Sequence, residues 1–459
     1  MLSQCLLPSR GKQESPFEIH IDGHYESKVY TSGSTISGHV TIPAHHQIPF
    51  QSFQIDLRGT TSTCGHAFQY GTPFLTQTFM HLQMPIPASA LPPTQLLEAG
   101  KSYHVPFRFV IPEQLPTTSC NHQNVVVRER HLQPPPSMGA WDHDDLTGGS
   151  AHVEYVVTAR LVLGKNKRGE EQYLDQSRSI KVIPALAEQP PLHIGPDNTE
   201  YCLSRTKAIR KNIIGTKLGI ITASAIQPQA IILCLDGLQA SESCIPISLE
   251  YAPSSLNGIP PEVRIKSATI ETFTNFWLGL DGYLPDHHQR PSNSAAPTAP
   301  WSTSHSLLFD RREKVAWEKR LLFDLEKESD RRFSEPIQLI QEHAGPKVST
   351  RSASNASQWD LGAYKSTTYK ATILQSFKLP ADKFLFLPTF YSCMISRTYR
   401  VRVTLAIGSH GPTISLVLPV QIAAKGLDNM QDNSSSRCEI PCNYDYQLAE
   451  DVLPPYSSR

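Results

Sequence analysis

Hydrophobic and polar residues alternate with a period of two along much of this chain, and the alternation predicts β-strands. Phe17, Ile19 and Ile21 are separated by polar residues, and the same pattern returns at residues 36–42 and 53–57. Successive side chains of a strand point to opposite faces of a sheet, so each of these segments would bury one face. Helical periodicity is almost missing from the sequence. The pattern therefore favours an all-β fold.

Further predicted strands lie on both sides of a proline-rich segment, Gln189-Pro190-Pro191. They span residues 75–84, 101–111, 152–163 and 177–183 before it, and residues 208–214, 217–223, 230–235, 245–250, 262–274, 398–407 and 416–422 after it. Short strands separated by turns over about 170 residues are typical of a β-sandwich. We therefore predict two immunoglobulin-like antiparallel β-sandwich lobes joined near these prolines.

Two long segments interrupt the strand pattern and are predicted to be insertions. Thr117–Ser150 contains Pro134-Pro135-Pro136 and is predicted to be mobile. Residues 285–360 begin and end with flexible, serine-rich sequence. Between those ends, the charged stretch Leu307–Arg332 has apolar residues that recur at every seventh position, which favours a surface helix.

These observations give a complete set of predicted boundaries. We assign a disordered N-terminus to residues 1–15, a first lobe to 16–186 with an insertion at 117–150, a linker to 187–200, a second lobe to 201–425 with a flexible and helical insertion at 285–360, and a disordered tail to 426–459.

Charge and cysteine content narrow the class of protein. The 459 residues include 42 basic and 42 acidic side chains, so nothing favours binding to nucleic acid. The 9 cysteines are scattered and form no Cys-x-x-Cys motif, which favours a reducing compartment over a disulfide framework. The sequence has neither a signal peptide pattern nor an apolar run of the roughly 20 residues that a membrane helix needs. We expect a soluble, intracellular protein.

No pattern in the sequence predicts catalysis. Gly100-Lys101-Ser102 resembles the end of a phosphate-binding loop, but the glycine that such a loop needs earlier is replaced by Gln95. His45-His46 and His287-His288 lack the helical spacing of a metal-binding motif. Cys438 and Cys442 have no second pair of ligands. The chain is therefore predicted to be no enzyme and to have no catalytic residues, metal site or cofactor.

The last seven residues contain a candidate peptide ligand. Pro454 and Pro455 favour an extended polyproline II conformation, which aromatic grooves of WW domains recognise. With Leu453 before them and Tyr456 after them, they form a Leu-Pro-x-Tyr variant of the Pro-Pro-x-Tyr ligand. The other interpretation is a proline-containing terminus without a partner. Leu453, Pro454, Pro455 and Tyr456 are the predicted WW-binding residues.

Two serines of the second insertion are candidate phosphorylation sites. Ser334 follows Arg331-Arg332 and precedes Pro336 by two residues, which suits a basophilic kinase and then a phosphoserine-binding adaptor of the 14-3-3 type. Ser354 follows Arg351 in a weaker site of the same kind. The alternative is a charged segment that is never modified.

The order of sequence phrases in the first lobe resembles the N-terminal half of the arrestins, specifically an α-arrestin of the fungal type. The phrases are Tyr30–Val40, Phe53–Gly59, Tyr103–Pro112 and Val153–Leu161, and the pair Thr398–Ile407 and Leu416–Ile422 resembles the end of an arrestin C-terminal half. The resemblance covers most of residues 16–425 and implies the two-lobed arrestin fold.

The same resemblance implies a function. Proteins of this group act as trafficking adaptors: the sandwich recognises an integral membrane transporter or receptor, and the tail recruits a WW-domain ubiquitin ligase of the HECT class. The ligase then ubiquitylates the cargo and promotes its endocytosis. We therefore expect a cytoplasmic protein that is recruited to the plasma membrane or endosomes. The alternative is an arrestin-fold sorting or coat protein, similar to the arrestin-like retromer subunit, that works without a ligase.

Overall fold

The fold was analysed in a computed structural model. The described residues are 17–64, 74–87, 89–149, 151–166, 168–195, 197–211, 215–234, 239–255, 257–277, 298–307, 315–322, 366–408 and 411–426. Among these residues, no helix is both long enough and apolar enough to cross a membrane.

Strands β1 to β10 build the first lobe. They are β1 Glu18–Ile21, β2 Val29–Tyr30, β3 Thr35–Pro43, β4 Ile48–Pro49, β5 Ser52–Cys64, β6 Phe74–Met84, β7 Leu96–Leu97, β8 Ser102–Val110, β9 Ala151–Lys165 and β10 Glu171–Val182. One sheet has the order β1-β3-β8 and the other has the order β2-β10-β9-β5-β6. The short strands β4 and β7 pair with each other.

The alternation in the sequence explains how this lobe packs. In β3, Ile36, Val40 and Ile42 are buried while Ser37, His39 and Thr41 on the opposite face are partly exposed. They join one core with inward residues of the facing sheet, such as Ile55 and Leu57. Apolar faces of two sheets bury each other in this way, which is the stabilising arrangement of a sandwich.

Gly38 lets β1 and β3 lie close together. It pairs with Ile21 of β1, and a Cβ atom at this position would lie 2.0 Å from the backbone oxygen of His20. Only a residue without a side chain fits between the two strands. The glycine inside a predicted strand thus marks a close approach of two backbones.

Strands β11 to β22 build the second lobe. They are β11 Ser204–Arg210, β12 Lys217–Ala225, β13 Ile231–Leu233, β14 Ser243–Pro253, β15 Val263–Phe276, β16 Thr298–Ser306, β17 Glu318–Leu322, β18 Ser366–Phe377, β19 Phe390–Tyr391, β20 Ile395–Ile407, β21 Thr413–Val420 and β22 Ile422–Ala424. One sheet has the order β11-β12-β14-β18-β17, and the other has the order β16-β15-β20-β19, with β21 also paired to β20. The predicted all-β fold with two sandwich lobes is confirmed.

Each lobe contributes residues to the core of the other. The core of the first lobe includes Phe276, Leu385 and Phe390, which come from the second half of the sequence. Conversely, Leu146 belongs to the core of the second lobe. Apolar burial therefore continues across the junction, which holds the two lobes in a defined arrangement.

The prediction that residues 117–150 form a mobile insertion is wrong for the described part of that segment. It contains a short 3-10 helix, Thr117–Ser119, and helix α1, Val125–His131. The Asn124 side chain caps α1 by accepting hydrogen bonds from the backbone of its first turn. Buried residues such as Met138 then anchor the rest of the segment. Prolines and glycines here shape a packed connection.

The predicted surface helix within Leu307–Arg332 is also wrong for the described residues. Strand β17 lies there, and its partner is the sheet strand β18. Just before β17, partly buried Val315 and Trp317 alternate with exposed Ala316, and the Trp317 ring packs against Tyr251 at 6.4 Å between centroids. This period of two, favoured by sheet packing, overrides the weak heptad pattern. Strand β16 likewise lies inside the segment predicted as a flexible insertion.

Candidate functional site

The site residues predicted from the sequence all lie outside the described residues. They are Leu453, Pro454, Pro455 and Tyr456 of the tail, with Ser334 and Ser354 of the second insertion. The structure therefore neither brings them together nor separates them. Within the described part of the chain, the most distinctive chemistry lies instead at the junction between the two lobes.

A fully buried arginine crosses this junction. Arg397 near the start of β20 is 0% exposed. Its Nη1 donates to the backbone oxygen of Asp145 at 2.9 Å, and its Nη2 donates to Thr147 Oγ1 at 2.9 Å. Both acceptors belong to the segment before β9, in the other lobe. A buried guanidinium needs such acceptors, because burying a charge without hydrogen bonds is strongly unfavourable.

Local hydrogen bonds fix the segment that receives Arg397. Asp145 Oδ2 accepts from the backbone N–H of Gly139 at 2.6 Å, and Asp144 Oδ1 accepts from that of Leu146 at 2.8 Å. The backbone oxygen of Asp144 accepts a further bond from the N–H of Leu385 at 2.9 Å. These short-range turns present backbone and side-chain oxygens toward the second lobe, so the acceptor set is formed by the chain itself.

Two buried tyrosines each hold a loop of their own lobe. Tyr155 Oη donates to the Pro135 oxygen, and Tyr399 Oη donates to the Leu387 oxygen, each at 2.7 Å. Burial raises the pKa of both phenols. They therefore stay protonated and act as hydrogen-bond donors that fix nearby loops.

A second seam joins the linker to the last strands. Leu186 and Ala424 form an antiparallel bridge, and the side chain of Gln421 exchanges hydrogen bonds with the backbone of Gln189 at 2.8 and 2.9 Å. Beside this seam is a cleft. Its lining includes Arg130, Gln133, Leu192, Tyr201, Tyr391 and Thr398. The linker is therefore bound to the second lobe over its first residues.

The junction also gathers one set of possible metal ligands. Cys120, His131 and Cys393 are buried, and their ligand atoms all lie within 4.8 Å of one another. Cys120 precedes α1 and His131 ends it, whereas Cys393 lies between β19 and β20. Sequence spacing could not reveal this cluster, since Cys393 is 262 residues away from His131.

A partly exposed charge cluster lies on the other face of β20. Glu271 of β15 accepts hydrogen bonds from Nε of both Arg400 and Arg402, the second at 2.8 Å. Burial acts to raise the pKa of Glu271, but these two arginines lower it below its usual value. The carboxylate therefore remains ionised at neutral pH, and the cluster ties two neighbouring strands together.

The buried arginine had a signal in the sequence that was missed. Within β20, Tyr399, Val401 and Val403 face the core. Extending that period of two by one step puts Arg397 on the core face. Charged residues are seldom fully buried, so a strand prediction normally ends before one. A charged residue at a position that the alternation assigns to the core is the available signal for an interaction between the lobes.

Comparison with known proteins identifies one region of similarity. The family model described as the Bul1 C terminus matches residues 310–425. The described part of this region contains strands β17 to β22, and thus Arg397, Cys393 and Gln421 of the junction. No curated protein matches the chain. The match covers about a quarter of the chain and is a likeness of this region to the Bul1 C terminus.

Proposed function

We propose that this chain is an arrestin-related trafficking adaptor that links an integral membrane transporter or receptor to a WW-domain ubiquitin ligase of the HECT class. In this proposal the ligase ubiquitylates the cargo, and ubiquitylation promotes endocytosis. The adaptor itself performs no covalent step. It works in the cytoplasm and is recruited to the plasma membrane or to endosomes with its cargo.

The observation that carries the proposal is the similarity to the Bul1 C terminus in a chain with two β-sandwich lobes. The arrestin-like resemblance of the first lobe, at phrases such as Tyr30–Val40 and Phe53–Gly59, agrees with it. Fold alone does not define function, so the tail supplies the chemical argument for the ligase. Leu453-Pro454-Pro455-Tyr456 is the segment that would enter a WW groove.

The mechanism is proximity through two simultaneous contacts. Cargo bound to the lobes and ligase bound to the tail share one chain, so the second encounter is intramolecular. Its effective concentration depends on the length and stiffness of the connecting segment and reaches the millimolar range for short flexible linkers, as an order of magnitude. Lysines of the cargo then meet the ligase far more often than free diffusion would allow.

The junction contributes a defined orientation of the two lobes. Arg397 and Gln421 make hydrogen bonds to the first lobe and the linker respectively. Apolar residues from each half of the sequence are buried in the core of the other lobe. Loops at the ends of the two sandwiches therefore keep fixed relative positions, which suits recognition of an extended cargo surface.

Binding of the tail to a WW domain is the test of ligase recruitment. We predict that a peptide spanning Glu450–Arg459 binds WW domains of a HECT ligase in a titration by calorimetry or fluorescence. The prolines pre-form the ligand shape, while Tyr456 inserts its ring into an adjacent pocket. Tyr456→Ala should abolish binding. Leu453→Pro should strengthen it, because proline reduces the conformational freedom that binding removes.

The matched control is Ser458→Ala, which changes the same peptide outside the motif and should leave affinity unchanged. If the wild-type peptide shows no saturable binding, or if Tyr456→Ala binds equally well, the tail does not recruit the ligase. The ligase-independent sorting function is then the better account of the fold.

A further inference from the structure

We propose that Cys120, His131 and Cys393 bind a zinc ion that fastens the two lobes to each other. The ligand atoms are Cys120 Sγ, Cys393 Sγ and His131 Nδ1, and all three residues are buried. The first two ligands in the chain come from the first lobe and the third comes from the second. The bound ion would stabilise the contact between the two lobes of the proposed adaptor.

The distances fit a tetrahedral ion. His131 Nδ1 lies 3.5 Å from Cys120 Sγ and 3.5 Å from Cys393 Sγ. Zinc bonds of about 2.3 Å to sulfur and about 2.05 Å to nitrogen, at a tetrahedral angle, place these atoms about 3.6 Å apart. Both nitrogen–sulfur distances therefore agree with a zinc ion shared by these side chains.

Hydrogen bonding between the three side chains explains the arrangement less well. One imidazole nitrogen faces two sulfurs, and it has either one lone pair or one proton to offer. A single N···S pair uses that capacity, so the nitrogen can hydrogen-bond to only one of the two sulfurs it faces. A shared cation satisfies all three atoms at once, since each donates one lone pair.

A backbone donor faces the sulfur of Cys120. The backbone N–H of His122 donates to Cys120 Sγ at 3.4 Å. Donors around metal-bound cysteines stabilise the thiolate and orient it, and their loss typically weakens metal binding by about 10–100-fold.

The protonation states define the balance of the binding step. A metal ion binds cysteine as the thiolate and histidine as the neutral imidazole. Zinc binding to the two thiols and the imidazole would release two protons and form two Zn–S bonds and one Zn–N bond.

Metal content of the full-length chain tests the proposal. The protein is purified without a polyhistidine tag and under reducing conditions, and zinc is measured by plasma mass spectrometry after desalting. We expect about one zinc ion per chain. Cys393→Ser should lose the metal, whereas Cys202→Ser, a cysteine outside the cluster, should retain it.

A cobalt titration of metal-free wild-type protein gives a second readout that does not depend on the folding of a variant. Tetrahedral Co²⁺ bound to thiolates shows intense d–d bands and a sulfur-to-cobalt charge-transfer band. Zinc should displace these bands at one equivalent. A wild-type protein without zinc and without these bands overturns the proposal, and so does a Cys120–Cys393 disulfide found by mass spectrometry after alkylation of free thiols.

Discussion

Replacing the buried Arg397 measures how much the junction between the lobes contributes to the stability of the fold. Arg397→Ala removes the donors of two hydrogen bonds and leaves the Asp145 oxygen and Thr147 Oγ1 buried without them. Each buried acceptor without its partner costs about 1–3 kcal/mol. With the lost packing of a side chain that is 0% exposed, we expect the free energy of unfolding to fall by about 3–5 kcal/mol.

A second arginine of β20 provides the matched control. Arg402 has a side chain that is 40% exposed and pairs with Glu271, so Arg402→Ala should cost less than about 1 kcal/mol. Arg397→Lys should have an intermediate effect, because a lysine keeps the charge but lacks the planar fork that reaches two acceptors.

The assay is urea unfolding followed by circular dichroism and tryptophan fluorescence. Two probes are needed, because lobes that separate before they unfold would give transitions that do not coincide. In the wild type the two transitions should coincide, and in Arg397→Ala they should separate. An Arg397→Ala protein that loses no more stability than Arg402→Ala would refute a junction held by this side chain.

The remaining predictions concern a strand contact, a pH effect and phosphorylation. Gly38→Ala should destabilise the first lobe by about 1–3 kcal/mol, because the new methyl group meets the His20 backbone oxygen. Gly195→Ala is the control, because a methyl group there has open space. Equal thermal unfolding midpoints for the two variants would show that the close strand contact is unimportant. The lowered pKa of Glu271 means that its contribution to stability is complete above about pH 4.5, its unfolded value, and is lost as the pH falls through the folded value. Glu271→Gln should remove this part of the acid sensitivity, and unchanged acid unfolding would argue against it. Phosphorylation of Ser334 should create a 14-3-3 docking site, so Ser334→Ala should reduce capture after kinase treatment, and equal capture would reject the site.

The strands were predictable from sequence where one face is buried. In β3 and β20 the apolar residues recur at every second position, and the structure buries those positions. The same reasoning failed for residues 315–322, because a short amphipathic segment fits both a strand and a helix until its partner, β18, is known. Proline content misled at 117–149, where hydrogen bonds within the segment and from Arg397 of the other lobe hold an ordered connection.

The chemistry of the junction was not predictable, because it depends on residues that are far apart in the sequence. Arg397 meets Thr147 across 250 residues, and Cys393 meets His131 across 262. No local spacing encodes such a pair. The tail motif is the opposite case: Pro454 and Tyr456 are recognisable as a short linear ligand because their conformation is set locally.

Quantitative capture from cells is the most direct test of the adaptor function. The full chain and a variant that lacks the last seven residues, Leu453–Arg459, would be isolated in equal amounts, and the bound HECT ligase and membrane protein would be measured by mass spectrometry. An adaptor with separate contacts predicts that the truncated chain loses the ligase and keeps the membrane protein, while ubiquitylation of that cargo falls. Equal recovery of the ligase with both chains would contradict recruitment by the tail.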